Sequence, residues 1–191
     1  MTIPEQPMDR LWVAIHENTA FVHVQGRGSF KISSALKQFG NAVLEGGCRH
    51  VILDMVDCVG MDSTFMGVLA GLAFRLKQLG GGEIVMVNLS LRTRGLLATL
   101  GLDQIIQPQM VGTMSEKMQK VLAVSSKLLA LDNPEENQVA TTETMLEAHE
   151  NLVQLSPENL PKFKDVLTFL RDDLKRARET NPGLHKEGAP P

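Results

Sequence analysis

Residues 50–88 read HVILDMVDCVGMDSTFMGVLAGLAFRLKQLGGGEIVMVN. The stretch opens with a predicted strand over His50–Met55. Its uninterrupted apolar run, Val51–Leu53, is typical of a strand buried on both faces of a sheet. Residues 64–79 then predict an apolar helix, which Gly80–Gly82 end, and residues 83–88 predict a second buried strand. A strand, a helix and a strand in this order predict a parallel pair with the helix packed on the sheet.

The flanking sequence extends this pattern to the order ββαβαβαβ. Before the quoted stretch we predict a hairpin over 11–17 and 19–26 with its turn at Asn18, then a helix that Ser33 or Ser34 caps and that ends at Gly46-Gly47. After it we predict a helix that Ser90 caps and that ends at Gly101, and a last strand at 104–107. The fold class is therefore α/β, with a mixed, largely parallel sheet of four to five strands and helices packed on it. We assign residues 9–110 to this domain.

After Pro108 the pattern predicts helices only. Thr113 and Glu116 form a possible capping box, which opens a helix with apolar residues along one side: Met114, Met118, Val121, Leu122, Leu128 and Leu129. A second helix is predicted over 139–155. A third starts at Ser156-Pro157 and carries a stripe of Phe163, Val166, Leu167, Leu170 and Leu174. The last two predict an antiparallel hairpin that packs on the α/β domain or forms a homodimer. We predict a helical extension over 111–180 and a disordered tail over 181–191.

The composition argues against several classes of protein. Residues 1–110 carry nine basic and nine acidic groups, so no basic field is present to attract nucleic acid. The longest uncharged apolar run, 64–74, is too short to cross a membrane, and the first ten residues do not resemble a secretory signal. Cys48 and Cys58 are expected to be buried thiols in a reducing compartment. These features predict a cytoplasmic protein.

No catalytic constellation is evident in the sequence. The five histidines lack metal-ligand spacing, and His23 is expected at an ordinary strand position, roughly opposite Val13 and away from His16. Ser63 lacks a Gly-x-Ser-x-Gly elbow, and no His/Asp pair can be assigned to it. Gly80–Gly82 is not followed by Gly-Lys-Ser/Thr, as a phosphate loop would require. We therefore predict no enzymatic activity, no metal and no cofactor.

Ser63 carries the chemistry that the sequence does suggest. A loop predicted over 56–62 leads to Ser63 at the start of the apolar helix, where the first amides are unpaired and the helix dipole is positive. A phosphate on this side chain would meet donors already aimed at it. The alternative is that Ser63 is only a helix N-cap.

The helix that follows Ser63 is apolar on all sides, which a helix lying on a sheet does not need. Part of it must be covered, either by the C-terminal helices or by a partner protein. Gly67 and Gly71 leave a flat strip where another backbone can approach closely. Because each glycine costs up to about 1 kcal/mol of helix stability relative to alanine, the strip indicates close packing.

The order of elements and the segment Met61–Gly67 resemble the STAS domain of bacterial anti-sigma factor antagonists. The resemblance spans Leu11–Gln107 and is supported by Gly80–Val87 and by Leu97, Leu100, Gly101, Leu102 and Ile105. It implies that Ser63, or alternatively Thr64, is phosphorylated by a partner anti-sigma kinase and reset by a phosphatase. The unphosphorylated protein would bind the kinase and free a sigma factor, and so regulate transcription. We expect the partner-binding residues to be Arg27, Lys31, Asp62, Phe65, Met66, Gly67, Ala70 and Gly71.

Two features depart from the family pattern. Phe65 stands where the motif usually has glycine, and the turn over 26–31 is basic where many antagonists carry acidic residues.

Two other functions are consistent with the sequence. One is a non-switched accessory or scaffold subunit, for example of an ABC-type transport system. The other is a sensor that binds a small apolar ligand between the α/β domain and the extension.

Overall fold

The computed structural model describes residues 8–110, 128–132 and 138–180. Within them the strands are β1 Arg10–His16, β2 Thr19–Gly28, β3 His50–Asp54, β4 Cys58–Met61, β5 Glu83–Leu89, β6 Gln107–Met110 and β7 Leu129–Leu131. The helices are α1 Phe30–Glu45, α2 Ser63–Gln78, α3 Leu91–Leu100, α4 Gln138–Leu155 and α5 Leu160–Thr180. Short 3₁₀ helices lie at Leu102–Gln104 and Pro157–Asn159.

The sheet is mixed and has its parallel strands at the centre. Its order is β6-β5-β3-β2-β1-β7, and β4 pairs separately with the end of β2. The pairs β2–β3, β3–β5, β5–β6 and β2–β4 are parallel, whereas β1 is antiparallel to both β2 and β7. The α/β class with a mixed, largely parallel sheet is confirmed, although the residues that the structure describes form seven strands rather than four to five.

The two additional strands lie where the sequence pattern is weak. β4 falls inside the predicted loop over 56–62; it is four residues long and pairs with the glycine-rich end of β2 across a register shift. β7 includes Leu129, which was predicted to be helical together with Leu128. Instead it pairs with the outer edge of β1, with Leu131 opposite Leu11. The rest of the predicted helix from Thr113 lies outside the described residues.

Two boundaries also differ from the prediction. Helix α1 begins at Phe30, so Ser33 and Ser34 are buried within it and do not cap it. The Ser33 hydroxyl instead donates to the carbonyl of Ser29, four residues earlier, at 2.9 Å. The last strand was predicted over 104–107, but Gln104 ends a 3₁₀ helix and the strand, β6, begins only at Gln107.

Elements with strong local signals are confirmed. The β1–β2 hairpin turns at Glu17-Asn18, with His16 opposite Thr19. Ser90 caps α3 by accepting a hydrogen bond from the Thr93 amide at 3.1 Å. Gly101 ends the same helix in the left-handed conformation, with φ of 81°, which glycine adopts without steric cost.

Helices α4 and α5 form the predicted antiparallel hairpin. The ion pairs Arg171–Glu150 and Arg178–Glu143, at 2.9 and 3.0 Å, fix the opposite directions of the two helices. The stripe on α5 is buried at four of its five predicted positions, while Val166 is 40% exposed. Because buried residues of α4 and α5 belong to the same apolar core as the sheet and α2, the hairpin is packed on the α/β domain.

A buried asparagine joins the turn of this hairpin to α3. The Asn159 amide nitrogen donates to the carbonyl of Leu100 at the end of α3 and to that of Leu152 in α4, at 3.0 and 2.9 Å. The Leu100 carbonyl is one of the last in α3, which the helix cannot satisfy internally, whereas the Leu152 carbonyl also accepts from the Ser156 amide at 3.2 Å. None of the helices that the structure describes is long and apolar enough to cross a bilayer.

Candidate functional site

Asp62 lies at the meeting point of two helix N-termini. One of its carboxylate oxygens accepts a hydrogen bond from the Phe65 amide in the first turn of α2, at 2.9 Å. The other accepts from the Phe30 amide at the start of α1, at 2.7 Å. The N-cap of α2 is therefore Asp62, and the prediction that Ser63 caps this helix is wrong. A carboxylate offers two acceptor atoms, so a single Asp62 serves both helices and leaves the Ser63 hydroxyl free for another partner.

That partner is His149 of α4. The Ser63 Oγ lies 3.0 Å from His149 Nε2, and His149 Nδ1 lies 2.7 Å from the backbone carbonyl of Met145. Because a carbonyl can only accept, Nδ1 carries the hydrogen and Nε2 is the acceptor in the neutral ring. The Ser63 hydroxyl therefore donates to Nε2.

The sequence assigns no His/Asp pair to Ser63; the structure brings a histidine to it, His149, but no aspartate behind that ring. His149 is 86 residues away in the sequence, and only the docking of α4 on α2 brings it to the serine. Its second nitrogen is held by a backbone carbonyl rather than by an aspartate, so the arrangement is a Ser–His pair without an acidic third member. The ring is buried and contacts Phe163 of α5 edge-on, with centroids 4.9 Å apart.

The glycine strip of α2 is the contact surface for α4. At Gly67 a side chain would collide with the backbone of Ala148, and a Cβ at Gly71 would lie 2.5 Å from the Asn151 amide nitrogen. Asn151 also donates to the Gly67 carbonyl at 3.2 Å. Of the two covers considered for this helix, the C-terminal helices are the one that the structure shows.

The residues expected to bind a partner fall into two groups. Asp62, Arg27 and Lys31 are accessible to solvent, fully or in part. The others lie on α2 and are buried or half-buried in this conformation; they are Phe65, Met66, Gly67, Ala70 and Gly71. The structure thus brings Ser63 and Asp62 together at the solvent-facing start of α2 and places the α2 residues inside the molecule.

Phe65 occupies space that a glycine on β2 leaves open. A Cβ added to Gly28 would lie 2.8 Å from the Phe65 ring, and Phe65 is fully buried. The phenylalanine that replaces the usual family glycine therefore points inward. It does not present a bulky ring to an approaching protein.

Exposed apolar side chains lie at the edge of the sheet where α2 begins. Phe30, Val56 and Leu91 follow strands β2, β3 and β5, and Val59 lies within β4, which pairs with the end of β2; these four residues, here called the apolar rim, therefore lie towards the carboxyl edge of the parallel strands. Val59 is 60% and Leu91 is 80% exposed. Such residues at one edge suit a protein interface. Sequence reasoning missed them because single apolar residues in loops and helix starts carry no periodic signal.

A second polar cluster lies around His23. Its ring nitrogens lie 3.2 Å from Asp54 on one side and 3.2 Å from Asp57 on the other. The hydrogen bond to Asp54 is the main cause that raises the pKa of His23 above 6.5, against the opposing effect of burial. Although burial disfavours ionisation of Asp54, hydrogen bonds from His23 and Asn88 hold the pKa of this carboxyl below its usual value.

His23 was predicted to occupy an ordinary strand position opposite roughly Val13. The register places it opposite Trp12, and His16 lies far along the same hairpin, opposite Thr19. The carboxylates come from β3 and the loop after it, which sequence spacing could not place beside β2.

Across the described residues no cluster of His, Cys, Asp and Glu could hold a metal ion.

The two cysteines are free and buried. Burial is the main cause that raises the pKa of both the Cys48 and the Cys58 thiol. Raised values disfavour the thiolate, which is the reactive form, so neither side chain is set up as a nucleophile.

A cavity of about 260 Å³ lies between α1, α2 and α4. Its lining includes charged and amide side chains: Lys37, Asn41, Arg75, Gln78, Glu147, Asn151 and Gln154. Lys37 pairs with Glu147 across the opening. This lining does not suit the apolar ligand that a sensor at the junction with the extension was expected to bind.

Comparison with known proteins identifies one family. The model of the STAS domain matches residues 11–120, which is more than half of the chain. Several solved structures are similar to the chain, among them the following three. A candidate anti-sigma factor antagonist from Thermotoga maritima is 20% identical over 58% of this chain and 92% of its own, with a TM-score of 0.49. The Bacillus anti-sigma factor antagonist SpoIIAA in its unphosphorylated form is 15% identical over 61% and 98%, with a TM-score of 0.46. An anti-sigma factor antagonist from Mycobacterium paratuberculosis is 19% identical over 64% and 99%, with a TM-score of 0.47.

Proposed function

The chain belongs to the STAS domain family, and from this premise we propose that it is a regulator of the anti-sigma factor antagonist type. It binds a partner protein, an anti-sigma factor or serine kinase, and phosphorylation of Ser63 ends that binding. A phosphatase restores the binding form. The proposed role is non-enzymatic and cytoplasmic, and it acts on transcription through the partner.

The position of Ser63 at the solvent-facing start of α2 carries this proposal. Ser63 is partly exposed, whereas the alternative acceptor Thr64 is only 4% exposed. Ser63 is therefore the more exposed of the two candidate acceptors, which supports it as the residue that a kinase modifies. The start of α2 is also the positive end of the helix dipole, which favours a negative group, although the Phe65 amide there already donates to Asp62.

The partner surface is proposed to be the apolar rim together with Ser63, Asp62, Arg27 and Lys31. These residues are accessible while α4 covers the rest of α2. A partner that fits would present apolar side chains to the rim and acidic groups to the two basic residues. We propose that the buried positions of α2 support this surface by holding α4 and the end of β2 in place.

Phosphorylation is expected to disrupt such a contact. A phosphate adds nearly two negative charges at pH 7 to the middle of a surface that a partner must desolvate. It would also stand beside the Asp62 carboxylate, which already occupies the positive ends of two helices. Repulsion and desolvation both disfavour the bound state.

The test begins with the protein isolated from the cells that naturally produce it. Phosphopeptide mapping should find phosphate on Ser63, and Ser63→Ala should remove it while the matched variant Thr64→Ala does not. Chain with phosphoserine installed at position 63 should then release a partner that the unmodified chain retains. Equal retention by both forms, with position 63 unphosphorylated in the cells, would contradict the proposal.

One observation favours a second function. The Ser63 hydroxyl already has a buried partner in His149, as expected if its role is to fix α4 on α2. In that case the chain would be a non-switched accessory or scaffold subunit with a constant docking surface. Ser63→Asp would then leave partner binding almost unchanged, whereas the switching proposal expects it to weaken binding strongly.

A further inference from the structure

We propose that His149 is a catalytic residue for the modification of Ser63, supplied by the substrate protein itself. It accepts the proton of the Ser63 hydroxyl as that oxygen attacks phosphorus. The C-terminal helical hairpin would therefore be part of the phosphorylation site and not only a cover for α2. In its biological setting this inference rests on the proposed function, but the activation of the hydroxyl can be tested separately.

The tautomer of the ring is the first support. Since Nδ1 donates to the Met145 carbonyl at 2.7 Å, the lone pair of Nε2 faces the Ser63 Oγ at 3.0 Å. This distance is within the range for a general base and the proton that it removes. An ordinary N-capping serine would instead accept a hydrogen bond from a backbone amide of its own helix, and here Asp62 already has that role.

The rigidity of the ring is the second support. The Met145 carbonyl fixes one nitrogen, and Phe163 contacts the ring at an interplanar angle of 66°. The helix that carries His149 is held against α2 by the close approach of the Ala148 backbone to Gly67. A histidine that is oriented by a second hydrogen bond and by packing is the usual arrangement of a base in nucleophilic catalysis.

The proposed step balances as follows. The Ser63 oxygen forms a bond to the terminal phosphorus of a nucleoside triphosphate held by the partner kinase, and the bond from that phosphorus to the diphosphate breaks. The proton moves to Nε2 of His149. The products are a nucleoside diphosphate, phosphoserine and an imidazolium, which then lies beside the new phosphate and pairs with it.

The test uses diisopropyl fluorophosphate on the full chain, so that no kinase is needed. Attack by Ser63 forms an oxygen–phosphorus bond and releases fluoride, while the proton again passes to His149. We expect labelling at Ser63, located by mass spectrometry of the peptide. His149→Phe keeps a ring against Phe163 but has no base, so it should reduce the labelling rate about a hundredfold or more.

Further variants separate chemistry from folding. His149→Gln can still accept a hydrogen bond from Ser63 but cannot take its proton, so its labelling rate should be as low as that of His149→Phe. His16→Phe, at an exposed strand position, is the matched control and should label normally. The ¹⁵N shifts of His149 in the unmodified chain should show hydrogen on Nδ1 and none on Nε2.

The outcomes distinguish the two proposals. Labelling that depends on His149, combined with no phosphate on Ser63 in cells, would support the inference and contradict the proposed function. Phosphorylation of Ser63 in cells at equal rates in the unmodified chain and His149→Gln would support the function and overturn the inference. Ser63 that is not labelled, or is labelled equally in every variant, would also overturn the inference.

Discussion

At the scale of single residues, Asp62 joins two helices through one carboxylate. Removing a single N-cap costs about 1 kcal/mol, and Asp62 accepts from the first turns of both α1 and α2. We expect Asp62→Ala to lower the free energy of unfolding by about 2 kcal/mol in urea denaturation. Ser90→Ala, which removes the single cap of α3, should cost about half as much. Equal losses in the two variants would show that only one bond of Asp62 contributes.

The His23 cluster predicts a dependence of stability on pH. Because the pKa of His23 is higher in the folded protein than its ordinary 6.5, its pairing with Asp54 stabilises the fold fully below about pH 6.5. That contribution is lost as the pH rises through the raised pKa. The difference in unfolding free energy between the unmodified chain and His23→Gln should therefore shrink as the pH rises from about 6.5 through the raised pKa. A difference that stays constant over this range would contradict the pairing.

Asp54 has the opposite dependence. Its folded pKa is lowered, so the carboxylate stabilises the fold above its ordinary pKa of 3.8, and this stabilisation is lost as the pH falls through the lowered value. Together the two groups place the most favourable range of the cluster between about pH 4 and pH 6.5. Acid unfolding of Asp54→Asn, compared with that of the unmodified chain, should show less loss of stability below pH 4.

At the scale of helices and strands, Gly67 and Gly95 form a matched pair. Both lie inside helices, where alanine is intrinsically favoured over glycine by up to about 1 kcal/mol. A Cβ at Gly95 in α3 meets no atom within 4 Å, whereas one at Gly67 collides with the Ala148 backbone. We expect Gly95→Ala to raise the free energy of unfolding and Gly67→Ala to lower it by about 1–3 kcal/mol, as overpacking does. Denaturant unfolding of both variants checks the opposite signs.

The same helices show what the sequence could predict. The apolar character of α2 on all sides required a cover, and the glycine strip required a close backbone, but neither identified α4, because docking is set by contacts between distant residues. Local rules identified the hairpin turn, the Ser90 cap and the Gly101 stop, each fixed by a few neighbouring residues. They failed at β4 and β7, whose three or four residues are held by the strands beside them.

The functional residues divide in the same way. Ser63 was found from its place before an apolar helix, since that is a local pattern. His149, the double role of Asp62 and the cluster around His23 depend on contacts between residues 31 to 86 positions apart, so no spacing rule could reveal them. Conversely, Phe65 was recognised as unusual, but only its contact with Gly28 shows that it points inward.

At the scale of the whole molecule, the question is whether residues 138–180 unfold with the α/β domain or separately. The sequence boundary near residue 110 suggests a domain and an extension. In the folded chain, however, Leu152, Phe163 and Leu167 belong to the same buried core as Leu69 of α2 and the central strands. Asn159 and Lys162 add hydrogen bonds to the last turn of α3. Contacts of this extent favour one cooperative unit.

Native-state hydrogen exchange can decide between these possibilities. If the chain unfolds as one unit, buried amides of α4 should exchange with the same opening free energy as those of α2 and β3, and Gly67→Ala should lower all three together. If the hairpin is a detachable cover, its amides should exchange at lower denaturant concentrations, and Gly67→Ala should affect α4 and α5 first. The second result would mean that α2 can be uncovered without global unfolding, and that a partner could reach Met66 and Ala70. The first would confine binding to the apolar rim and Ser63, and would keep His149 beside the serine whenever the protein is folded.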